Sequence, residues 1–295
     1  MRVLSIFLLC GCIFADPYFP DDNWETKNHD EVGLDESKID NLFELTFSDD
    51  ATMSAVLIKD GYIIREQYAE GFNKDSFGTS WSTAKSFYAA LVGISLDKGE
   101  IDSLDDPVAK YVPQYDEGEK KNITIRQILN MTSGLEFPSH EHEMMFFEAD
   151  HLAYAYKVDV ENKPGEVFQY NNVNSMLMGE ILKGATGKTA KQLIEERLFS
   201  KIGLENYTAW EDEAGNTLTY CCLDMSARDY SRFGLLFSRD GNWNGDQVIS
   251  KNYVDESLKL YWGSTPSMGW THSDTRGYSL QWWISKYDDD AKIYN

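Results

Sequence analysis

Between Leu34 and Phe47, apolar residues recur at helical spacing. Ile39, Leu42, Phe43 and Phe47 share a face and predict an amphipathic helix. The period then changes. From Met53 to Ala69, two β-rich runs, Ala55-Val56-Leu57-Ile58 and Tyr62-Ile63-Ile64, flank Asp60-Gly61, a turn pair suited to a right-twisted hairpin. Phe77 to Trp81 carries no helical pattern. Lys85 to Ile94 is apolar on most sides, as a buried central helix should be, and Gly99 marks its stop.

From about residue 100 to 215 the pattern is mostly helical, with loops. Thr124 opens a short helix through Asn130, and Pro164-Gly165 marks a turn. Val173 to Lys183 is a helix ended near Gly184 and Gly187, and Thr189 to Phe199 is the next. Ser226-Ala227-Arg228-Asp229 has the capping-box form and opens a helix through Phe237. Tyr278 to Ser285 predicts a strand. The economical architecture is α+β: an antiparallel sheet built from both chain ends and flanked by helices, with a helical lobe inserted over about 100–215. A ligand site is expected in the cleft between sheet and lobe.

Composition adds limits. The chain has 295 residues, 42% of them hydrophobic and 14% aromatic, enough for a packed core. Its net charge of −22 argues against nucleic acid or anionic membranes as partners. Such an acidic surface also raises the expectation of amine-bearing substrates. Residues 1–15 combine Arg2, an apolar run and Ala15, and predict a signal peptide on a secreted or periplasmic protein. Cys12 is an alternative lipid-anchored residue. No second run of spanning length follows the leader, and residues 16–33 form an irregular lead-in. Outside the leader only Cys221 and Cys222 remain, and two packed thiols are expected there rather than a bridge. Asn122, Asn130 and Asn206 fit the glycosylation sequon. Oligomeric state leaves no trace in the sequence.

The candidate chemistry lies in Ser82-Thr83-Ala84-Lys85 and, much later, Tyr170-Asn171-Asn172. On a helix starting at Ser82, positions 82 and 85 share a face, so the Lys85 amine can touch the Ser82 oxygen. A hydroxyl, an amine, a phenol and an amide suffice for acyl transfer without histidine, metal or cofactor. Desolvation on an apolar helix lowers the pKa of Lys85, and a nearby ammonium would favour Tyr170 as phenolate, so either group can be the base. Ser95 and Lys98 repeat the spacing but read as an exposed last turn. His140-Glu141-His142-Glu143 lacks metal-site spacing and reads as a polar loop at the cleft mouth. Gly184 to Thr189 reads as a helix cap followed by a new helix, not a phosphate loop. Trp282 and Trp283 are expected to pack on opposite sheet faces.

These stretches resemble the serine β-lactamase and penicillin-binding-protein superfamily. The resemblance rests on Ser82 to Phe87, Leu96 to Ile101 with Leu104 to Val108, Ile123 to Leu135, and Phe168 to Asn172. Ala227 to Gly234 and Tyr278 to Trp283 look most like the class C-like branch of 6-aminohexanoate-dimer hydrolases. In order and spacing the likeness covers residues 34–290. It implies a sheet domain of residues 34–295 with an α lobe, and an ester or amide substrate attacked by Ser82. It also implies proton transfer shared by Lys85 and Tyr170, and substrate held by Asn172. The alternative is an acylated sensor or silent scaffold of the same fold. The family's third box, lysine-threonine-glycine or a variant on a late strand, is not found, and Lys188-Thr189-Ala190 opens a helix instead. The expectation is therefore a chain truncated before its final strands.

Overall fold

The computed structural model describes residues 17–137, 144–259, 276–286 and 292–294. The leader at 1–15 and the His140–Glu143 loop lie outside these residues.

Helix α1 (Glu36–Thr46) starts at Asp35, whose side chain accepts from the Ser37 and Lys38 amides. Strands β1 (Ser54–Lys59) and β2 (Tyr62–Tyr68) pair antiparallel through Asp60 and Gly61, both at positive φ as the tight turn requires. After β3 (Phe77–Thr79) comes α2 (Ala84–Asp97), in which every residue from Ala84 to Ser95 is buried. The lobe contributes α3 (Ile125–Leu129), α4 (His151–Lys157), α5 (Asn172–Thr186), α6 (Ala190–Ile194) and α7 (Ser200–Ile202). Capping boxes Thr124–Gln127 and Thr189–Gln192 open α3 and α6. Strand β4 (Thr208–Ala209), β5 (Leu223–Ser226) and α8 (Ala227–Ser238) follow, then β6 (Asn242–Trp243), β7 (Asp246–Gln247) and α9 (Lys251–Ser257). Strands β8 (Arg276–Ser279), β9 (Trp282–Lys286) and β10 (Lys292–Tyr294) come last.

The fold is α+β, with a single large core around α2, against which α5 and α6 pack. Two expectations need correction. Tyr278 to Ser285 is not one strand but a hairpin, with Leu280 and Gln281 at positive φ in its turn. Nor do the two chain ends share a sheet: among the described residues β1-β2 and β8-β9-β10 are separate. Buried hydrogen bonds explain the hairpin. Gln281 donates to the Ile128 and Leu129 carbonyls (3.2 and 2.8 Å) and accepts from Ser175 Oγ (2.8 Å). Ser86 Oγ donates to the Gln281 carbonyl (2.8 Å), and Asn130 Oδ1 accepts from the Leu280 amide (2.8 Å). The turn is thus fastened to α2, α3 and α5. Asn130 is consequently buried and not a glycosylation acceptor in the folded chain.

Helix α5 runs through Gly184 and ends at Gly187, at φ 75°. Gly184 is required for a different reason: a Cβ there would sit 2.0 Å from the Tyr111 carbonyl oxygen. Gly→Ala inside a helix ordinarily stabilises by about 0.5–1 kcal/mol. Here the sign reverses, because backbone must move. Gly184→Ala is expected to cost about 1–3 kcal/mol in urea unfolding.

Candidate active site

The nucleophile candidate is positioned by β-sheet contacts. Ser80, next to β3, donates its amide to the Leu223 carbonyl (2.8 Å) and accepts the Leu223 amide on Oγ (2.9 Å). This fixes the chain just before a 3-10 turn, Trp81–Thr83, which leads directly into α2. Trp81 takes φ 44°, a conformation that costs a non-glycine residue energy and is often kept beside functional groups. Ser82 is exposed at the mouth of the helix, whereas Lys85, one turn on, is buried.

Lys85 Nζ lies 3.1 Å from Ser82 Oγ and donates to the Tyr220 carbonyl at 2.5 Å. Burial with no compensating carboxylate lowers its pKa to about 7. Tyr170 lies beside the same pair. Its ring centroid is 5.0 Å from Lys85 Nζ. Burial pushes the phenol up to about 12, against a smaller lowering by the nearby Ser82 side chain. Rings of Trp283 and Tyr278 hold Tyr170 at 5.6 and 6.1 Å. Trp282 turns the other way, against Phe233 and Phe237.

Asn171 and Asn172 divide their tasks. Asn171 caps α5, accepting the Val173 amide at 2.9 Å and donating to the Glu136 carbonyl at 3.1 Å. Asn172 lines a cavity of about 250 Å³ together with Trp81, Ser82, Phe146, Phe147, Tyr220 and Cys221. Its buried Oδ1 has no hydrogen-bond partner among the described residues. A larger groove, about 760 Å³, is lined by Asp97, Glu196, Arg197 and Lys201 at the opposite end of α2, away from Ser82. The second Ser-Lys match also lies at that end. Ser95 is fully buried and receives Arg197 Nη1 at 3.3 Å, so the expected exposed turn holds for Lys98 only.

The cysteines also depart from expectation. Cys221 and Cys222 form a disulfide between neighbours instead of two thiols. Cys222 adopts φ 75°, and its carbonyl and amide are tied to the Trp210 amide (3.1 Å) and Trp81 carbonyl (3.4 Å). Tyr220, Trp81, Phe146 and Phe147 escaped the sequence reading. No spacing rule connects them to Ser82; only the fold brings them there. Among the described residues no His, Cys, Asp and Glu cluster could hold a metal ion.

A profile of the Beta-lactamase family matches residues 47–295. The chain belongs to the Beta-lactamase family. Within that family, this chain is 24% identical over 264 residues to the 6-aminohexanoate-dimer hydrolase of Paenarthrobacter ureafaciens, covering 82% of this chain and 66% of that protein. It thus spans just under two thirds of that relative's length. A candidate 6-aminohexanoate-dimer hydrolase from Bacillus anthracis superposes with TM-score 0.76 at 22% identity, over 92% of this chain and 78% of the other. The D-stereospecific amidohydrolase from Streptomyces sp. gives TM-score 0.67 at 19% identity, over 88% and 86%. These superpositions share the fold.

Proposed function

We propose that this protein is a serine hydrolase that cleaves an ester or amide through an acyl-enzyme on Ser82. One observation carries the reading: the buried Lys85 amine lies 3.1 Å from Ser82 Oγ, with the Tyr170 ring 5.0 Å from that same amine. The related amide-hydrolase names agree with it.

The pKa directions favour one division of labour. An amine with a pKa of about 7 is half neutral at that pH and largely neutral above it. One of its N–H groups is spent on the Tyr220 carbonyl, leaving its lone pair to take the Ser82 proton. A phenol near 12 stays protonated and relays a proton to the leaving group. Ser82 Oγ bonds to the carbonyl carbon, the oxyanion forms at the positive end of α2, and the leaving alcohol or amine departs with the serine's proton. Asn172 orients the substrate from the cavity wall. Water then releases the acid by the reverse transfers.

A fluorophosphonate probe tests this. Wild type is expected to label and turn over a nitrophenyl ester, and Ser82→Ala to do neither. Stable labelling without turnover would reassign the protein as a slow acylated sensor. Label elsewhere than Ser82 would end the reading.

A further inference from the structure

The cavity at Ser82 is walled by rings. Trp81 is 63% exposed, Phe146 38% and Phe147 77%, and these rank among the large apolar side chains most open to solvent in the described residues. All three line the same space, with the Tyr220 ring and the Cys221 side of the disulfide completing the wall. Phe146 and Phe147 meet edge to face, with centroids 5.8 Å apart. Scattered apolar residues on a surface need no explanation, but a concave group of them around a nucleophile does.

The described residues of the same wall carry no charge. No carboxylate and no guanidinium lies among the described lining residues. The acyl chain named in the Paenarthrobacter relative ends in an ammonium, which would find no counter-ion among the described lining residues. The net charge of −22 does not supply one at contact. It is spread over the whole surface and screened beyond about 8–10 Å at physiological salt. Size is also limiting: an apolar cavity of about 150 Å³ admits one benzene ring. At about 250 Å³ the Ser82 cavity has room for one ring and a short linker.

We propose that this cavity is an aryl-acyl pocket: the substrate is a neutral ester or amide whose acyl group carries one flat apolar ring close to the scissile carbonyl. The inference rests on the serine-hydrolase reading for its reaction but not for its recognition. In the covalent step the Ser82 Oγ–acyl bond forms, the acyl–leaving-group bond breaks, and the serine's proton leaves with the alcohol or amine. The ring lies between Trp81 and the Phe146–Phe147 pair and displaces water from all three.

Two measurements test it separately from the hydrolase reading. Turnover of nitrophenyl phenylacetate, acetate and 6-aminohexanoate is compared on wild type, Phe147→Ala and Trp81→Ala. Phenylacetate is expected to lead by about tenfold or more in kcat/KM. Each ring deletion is expected to erase most of that lead, read as the ratio of phenylacetate to acetate turnover in the same variant. Binding of phenylacetamide, acetamide and 6-aminohexanamide to Ser82→Ala is then measured by calorimetry, where no chemistry is needed. Phenylacetamide alone should bind. Ser82 labelling with no aryl preference in either assay overturns the aryl pocket and leaves the hydrolase. Phenylacetamide binding without wild-type labelling does the reverse. A preference for the 6-aminohexanoyl compounds overturns the pocket as described.

Discussion

Lys85→Met is expected to lower kcat/KM for an activated ester by about 10²–10⁴-fold and, at pH 6, to raise the melting temperature. The two changes have one cause. Lys85 is enclosed at the start of the central helix, and its pKa is lowered by desolvation, so the fold carries the cost of burying an amine. Methionine keeps the length and the apolar stem but needs no solvation and offers no lone pair. The loss of a partner for the Tyr220 carbonyl offsets part of the gain, by about 1–3 kcal/mol. The sign with pH follows by linkage. The folded pKa is about 7 and the unfolded value 10.5. Between them the unfolded chain binds more protons, so wild-type stability rises with pH across that window. The Met variant lacks this rise. Its advantage is therefore greatest below pH 7 and shrinks toward pH 10. Thermal unfolding at two pH values, alongside ester turnover, checks both halves. A variant that keeps its rate, or that is less stable than wild type at pH 6, would remove Lys85 from the base position.

Such trade-offs are hard to see in a sequence, though parts of this one were open. The 82/85 pairing follows from helix geometry, and α2 from an apolar run too continuous to face water. Asp60-Gly61 and Thr124 mark their elements because turn and cap chemistry is local. Tyr170 and Asn172 can be proposed from their chemistry, but joining them to Ser82 rests on the resemblance, since Tyr170 lies 85 positions after Lys85 and no local rule spans that distance. What escaped depends on contacts made only after folding. The Lys85 anchor is a backbone carbonyl, which every residue has, and only the fold selects Tyr220. Leu280 and Gln281 form a left-handed turn without glycine or asparagine, supported by the buried bonds of Gln281. Ser95 looked exposed because it sits near a helix end, but Arg197 comes from the lobe to cover it. The aromatic wall is assembled from positions 81, 146, 147 and 220, which have no common period.

The pH profile of acylation separates the two bases that the sequence left open. With Lys85 as base, kcat/KM is expected to rise about tenfold per pH unit below pH 7 and to level off just above it, because the reactive form is the neutral amine. From pH 5 to the plateau the increase is about 100-fold. With Tyr170 as a phenolate base, the rate would instead keep climbing through pH 8, 9 and 10, since the phenol titrates near 12. Tyr170→Phe discriminates further. As the group that returns a proton to the leaving atom, Tyr170 should cost about 10²-fold on a poor leaving group when removed, and much less on nitrophenolate, which needs no proton. The acid limb near pH 7 should survive in the variant, because the amine that produces it is still there. Loss of that limb in Tyr170→Phe, or a wild-type rate still rising tenfold per unit at pH 9, would transfer the base from the amine to the phenol. Ser82 would remain the nucleophile in either case, since the amine lies against its oxygen and the phenol ring lies beside that amine.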